Sequence, residues 1–173
     1  MTGGDRRATR RGVLGAAMAA CLALPASGAT AQDAWEVRRL GGDAPGDGYC
    51  EARVGNEAGQ ELLLLKDGVS APLIEWARNA GEPPRPEESG IGIVTVRLTF
   101  DVGYDRWRLD AADDGNRVGA RVGDPADWER LGEQMAAATA LAVIGDGEER
   151  LALFSLEGAG TALEKLEACW RGL

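Results

Sequence analysis

"IVTVRLTFDV", residues 93–102, decides how this chain folds. Val94, Val96, Leu98, Phe100 and Val102 alternate with Thr95, Arg97, Thr99 and Asp101. A period of two held this long is a strand with one face on a core and the other in water. "YDRWRLD" (104–110) keeps the alternation and sets Trp107 and Leu109 on one side, predicting a hairpin through Gly103.

Working outward, "WEVRRL" (35–40), "YCEARVG" (49–55) and "ELLLLKDG" (61–68) are further strand-like runs between Gly, Asp, Asn and Pro clusters. "PLIEWARN" (72–79) reads either as a strand or as a short helix, and "GEPPRPEESG" (81–90) as a proline-rich surface loop.

Helical signals come late. Asp124 is a suitable N-cap, Pro125 suits the first helical position, and Asp127 follows the cap by three residues. Trp128, Leu131, Met135 and Ala138 then lay one apolar stripe on a core. "ALAVIGD" and "LALFSLEG" are strands joined through Gly145, Asp146 and Gly147. Because both are apolar on both faces, they read as central or helix-covered strands. A last helix from about Thr161 places Ala162, Leu166 and Cys169 on one face, with Leu163 and Trp170 beside it. The expectation is one α+β domain, β-predominant: an antiparallel sheet or sandwich of about seven to eight strands, with two helices in the C-terminal third.

The first 31 residues read as an export signal. Arg10 and Arg11 precede an apolar run from Val13 to Pro25, and Ala29, Thr30, Ala31 form a small-x-small cleavage site. The arginine pair followed by Gly12, Val13 and Leu14 resembles the motif of the twin-arginine export route. The apolar run falls short of the roughly 20 residues that span a bilayer, so no transmembrane segment is expected in the mature chain. Met18 to Cys21 offers a second reading, a lipoprotein site with Cys21 lipidated. Cleavage after Ala31 leaves one domain, residues 32–173, in the periplasm or outside the cell.

Two cysteines then remain, Cys50 and Cys169. An even count in an oxidising compartment reads as a disulfide. Across so long a loop it would be worth about 4 to 5 kcal/mol in the chain-entropy model. The formal charge is −9, and −12 once the leader's four arginines and one aspartate are gone. Such a balance argues against nucleic acid and anionic membranes, whose phosphates demand Lys and Arg.

The order of elements and the ending resemble small exported bacterial proteins of the invasion-associated locus B type. The residues that carry this are Ser155, Leu156, Gly158, Ala162, Leu163 and Leu166, with Trp35 ahead of Cys50; the family's additional central cysteine pair is lacking. The resemblance implies an exported, non-enzymatic protein with an envelope or host-facing role, and carries over no active-site residue.

The chain has no histidine, which removes Ser-His-Asp and Cys-His catalysis and most zinc and copper sites. A serine-lysine nucleophile has no supporting spacing, with Ser155 within a strand and Lys165 on a polar helix face. Asp110, Asp113, Asp114 and Asn116, and likewise Asp146, Glu148 and Glu149, gather oxygen ligands near glycine, but not in the alternate-residue spacing of a calcium loop. They read as turns, and no catalytic residue, metal or cofactor is expected. Trp76 and Trp107 are flanked by charge, Trp107 by Arg106 and Arg108, and form the candidate binding surface. Alternatively both rings belong to the core beneath snorkelling neighbours. The expected function is binding to another protein of the envelope or host, as an accessory factor or inhibitor. The alternative is a cell-wall or surface carbohydrate module stacking sugar on an exposed tryptophan.

Overall fold

The structure is a computed structural model that describes residues 34–41, 48–80, 91–103 and 106–173. The leader residues Arg10, Arg11, Cys21, Ala29 and Ala31, and the loop 81–90, lie outside the described residues.

Nine strands and two helices are present among the described residues: β1 (Glu36–Gly41), β2 (Gly48–Gly55), β3 (Glu61–Asp67), β4 (Leu73–Ala77), β5 (Gly92–Phe100), β6 (Arg106–Asp113), β7 (Arg117–Arg121), α1 (Pro125–Ala137), β8 (Ala140–Ile144), β9 (Arg150–Ser155) and α2 (Ala159–Arg171). The strands form one antiparallel sheet in the order β1-β2-β3-β4-β7-β6-β5-β8-β9. The fold is therefore α+β and β-predominant. "PLIEWARN" resolves to strand β4, because Ile74 and Trp76 alternate inward along it. Strand β7 has little local signal, because its five residues contain Gly119 and one large apolar side chain, Val118, which points inward with Ala120.

The sheet curls until its last strand meets the β2–β3 turn. Asn56 Nδ2 donates to Leu153 O (3.1 Å) and Gln60 Nε2 to Leu151 O (3.2 Å), so two side-chain amides bond the free edge of β9. The pairing of 152, 154 and 156 with β8 turns the alternate carbonyls of 151 and 153 outward to meet them. This corrects the placement of β9, which is a terminal strand of the sheet and leaves Leu153 46% exposed.

One core fills the inner face. Ala52 and Val54, Leu62 and Leu64, Ile74 and Trp76, Val96 and Leu98, and Leu141 and Val143 point into it from successive strands. Leu131 and Met135 of α1 and Ala162 and Leu166 of α2 complete it. The α1 start is as the sequence predicts: the Asp124 side chain accepts from Ala126 N (2.8 Å), with Pro125 opening the helix. Helix α2 begins at Ala159, after Gly158 adopts φ 83°, and a Cβ there would stand 3.8 Å from the Trp35 ring. The helices pack closely where Gly160 faces Ala136. Cys50 and Cys169 form a disulfide (2.00 Å) that ties α2 to β2. Beside it Lys66 lies 3.7 Å from the Trp170 ring centroid and pairs with Glu167 (2.6 Å), and Trp170 Nε1 donates to Asp67 O (2.8 Å).

Candidate functional site

The two tryptophans of the expected binding surface are not on it. Trp107 is 7% and Trp76 6% exposed. Trp107 shares the inward parity of Leu98, its partner across the ladder, and its Nε1 donates to Gln134 Oε1 of α1 (2.6 Å). The Arg130 guanidinium stands over its ring at 4.6 Å. Trp76 lies between Leu62 and Val118 in the ladder and borders an internal cavity of about 20 Å³. Its Nε1 is buried without a hydrogen-bond partner among the described residues. Arg78, 5.1 Å from that ring, is held by Asp113 through two contacts of 2.7 Å. The charges flanking these tryptophans in the chain thus belong to the outer face or to ion pairs, while the rings belong to the core.

Arg106 and Arg108 take the opposite parity and are exposed on the outer face of β6. The register sets a third arginine against them: Arg97 of β5 lies directly opposite Arg108, and Thr99 opposite Arg106. On the other side of β5, Ile144 faces Arg97 and Ala142 faces Thr99, and Leu153 follows on β9. The outcome is an outer face with three arginines over a low floor of Thr99 and Ala142, flanked by Leu153 on one side; along β6 and β5 the Thr95–Asp110 pair, joined at 3.1 Å, stands between the arginines and Ile93, which is 75% exposed. Like charges directly opposed in a ladder repel, so this pairing weakens the sheet rather than supporting it.

The arginines differ in their partners. Arg97 Nη2 meets Glu148 Oε2 at 2.5 Å. The Glu148 carboxylate is held below its usual range by that hydrogen bond and charge, and by the field of Arg106. Arg106 and Arg108 have no ion pair among the described residues, as is true of Arg39, Arg121, Arg150 and Arg171, whereas Arg38, Arg53, Arg78, Arg117 and Arg130 each meet a carboxylate; what sets the first two apart is their place two residues apart on one face, with Arg97 opposite. Sequence reading did not include Arg97 or Glu148 in the surface, since neither its register against Arg108 nor the loop's return to β5 is visible along the chain.

Of the first acidic cluster Asp113 and Asp114 are used internally, while Asp110 stands on the outer face accepting from Thr95 Oγ1 (3.1 Å); Asp146 and Glu149 of the second are exposed in the β8–β9 turn. Asp113 is committed to Arg78 and to Gly115 N (2.7 Å), and Asp114 accepts from Asn116 N (2.9 Å) and Arg117 N (2.7 Å). The Arg78 hydrogen bonds hold Asp113 below the ordinary carboxylate range, against the opposing effect of burial. No group of three potential metal ligands occurs among the described residues. On the outer face of the other half of the sheet, Glu75 is pushed upward by burial although Arg117 lies at 2.6 Å. Ser155 closes β9 and its Oγ accepts from Glu157 N (3.3 Å), while Lys165 is exposed on α2, so the two are not brought together as a nucleophile and base.

The free edge of β9 borders a groove of about 540 Å³, whose walls include Asn56, Gln60, Leu151 and Leu153. Leu153 stands where this groove meets the arginine face. No helix among the described residues is long and apolar enough to cross a membrane. No family model, curated protein or solved structure matches the chain.

Proposed function

We propose that this chain is an exported, non-enzymatic domain that works by binding another protein of the envelope or host through the outer face of β6, β5 and β8. The observation that carries the reading is the gathering of exposed Arg106 and Arg108, which have no ion pair among the described residues, opposite Thr99 and Arg97 in a protein of net charge −9. A surface that leaves two neighbouring cations without an ion pair among the described residues, beside exposed Leu153, suits a partner that supplies the missing charge and covers the apolar flank. Export is supported by the arginine pair and cleavage pattern of the leader, by the resemblance in the C-terminal segment, and by a disulfide of the kind that persists in oxidising compartments. The carbohydrate alternative loses the residues it rested on, because Trp76 and Trp107 face the core.

A photo-crosslinking residue at Thr99, in the protein expressed with its own leader, tests the reading. It expects a discrete protein adduct in the envelope fraction that disappears when Arg106 and Arg108 are both changed to Ala. An adduct indifferent to those changes, or none, overturns the proposed face.

A further inference from the structure

Glu148 does at Arg97 what a partner's carboxylate would do. It sits in the β8–β9 turn with φ 65°, a left-handed conformation that strains any side chain. The turn closes through Glu148 N to Gly145 O (3.1 Å) and Gly145 N to Glu149 O (2.9 Å). Glu148 is itself 76% exposed, so water and competing anions reach the ion pair freely, whereas the Arg97 side chain is three-quarters covered. The cation is the better covered of the two, and its counterion is the one open to replacement. Directly across the ladder, Arg108 offers a second guanidinium that Glu148 leaves without an ion pair.

Resting on the reading just given for this face, we infer that the partner contributes a segment with closely spaced carboxylates beside apolar side chains. One of those carboxylates displaces Glu148 from Arg97 and bridges to Arg108. Planar guanidinium groups suit carboxylate in this bridging role. The apolar component rests on Leu153 and Ala142, beside Thr99, which a purely ionic ligand would leave in water; exposed Asp110 turns the segment away from Ile93. Long polyanions fit less well: the net charge of −9 repels them beyond the face, while a short acidic segment feels mainly the three local cations within a Debye length of about 8 Å. In the free protein Glu148 is then an internal competitor that sets the affinity of the face.

The probe is a ten-residue peptide of alternating glutamate and leucine, followed by fluorescence anisotropy, with its glutamine counterpart and phosphatidylglycerol vesicles as comparisons. The glutamate peptide is expected to bind, to weaken as salt rises, and to weaken about tenfold in the protein carrying Arg108→Ala. Glu148→Gln is expected to tighten it about two- to fivefold. Glu148→Gly, which also relieves the positive φ, should act in the same direction, and peptide addition should move the Arg97 Nε–H resonance in the wild-type protein. Equal binding of the glutamine peptide, tighter binding to vesicles, or an affinity unmoved by both Glu148 substitutions overturns the inference. If the Thr99 adduct still depends on Arg106 and Arg108 while Glu148 has no effect, the displacement mechanism falls and the binding face stands. Loss of that adduct dependence removes the face itself.

Discussion

Trp107 and Arg108 are neighbours in the chain, yet one closes the core against Gln134 and the other stands in water. The alternation in "DRWRLD" carries this division, and the competing reading of an exposed ring arose because a tryptophan between arginines has the same composition either way. Trp107→Ala should therefore act on stability, by about 3 to 5 kcal/mol for loss of a buried ring; urea unfolding checks this, and an unmoved midpoint would contradict its place in the core. Asp113 gives a pH prediction. Its carboxyl is depressed by Arg78, so it contributes stability above the unfolded value of about 3.9, and that contribution is lost as pH falls through the lower folded value. Asp113→Asn should flatten the acid limb of stability against pH, measured by denaturant midpoints from neutral to acid conditions. Glu75 has the opposite sign: its folded value is raised, so its contribution is complete below about 4.3 and fades as pH rises through the folded value.

At the scale of elements, helix α1 is the part most fully written in the local sequence, because an N-cap, a proline at the first position and a 3,4-spaced stripe are all contained within about 15 residues. Asp124→Ala should lower stability by about 1 kcal/mol, read from thermal unfolding. Strand β9 is the contrary case. Its two apolar faces suggest a central or helix-covered strand, but Leu151 and Leu153 meet side-chain amides at their edge carbonyls instead of a neighbouring strand, and Leu153 is 46% exposed. Asn56 is 8% exposed, and its Oδ1 also accepts from Ala58 N (3.1 Å) and Gln60 N (2.9 Å), so one side chain holds both the β2–β3 turn and the edge of β9. Asn56→Ala should cost about 1 to 3 kcal/mol and raise amide exchange in β9 ahead of β3, as measured by hydrogen exchange. Equal protection of β9 in the variant and the wild-type protein would mean that the amide contacts do not hold the edge.

For the whole molecule, the covalent tie between β2 and α2 spans 119 residues of sequence and encloses most of the sheet. Replacing both Cys50 and Cys169 by Ala should reduce stability by about 2 to 5 kcal/mol, seen as a lower denaturation midpoint that matches the reduced wild-type protein. A midpoint equal to that of the oxidised protein would show that packing of Leu166 and Ala162 alone retains the helix. The inward and outward faces of β5, the α1 cap, the antiparallel pairing of β5 with β6, the disulfide pairing and the β-predominant class were legible in the sequence. Each depends on local periodicity, on turn chemistry or on a count of two cysteines. The insertion of β7 between β4 and β6, the terminal position of β9, and the gathering of Arg97, Arg106, Arg108 and Glu148 were decided by tertiary structure alone. Those features depend on which strands pair and in what register, and pairing is fixed by contacts between residues far apart in the chain, which no local pattern records.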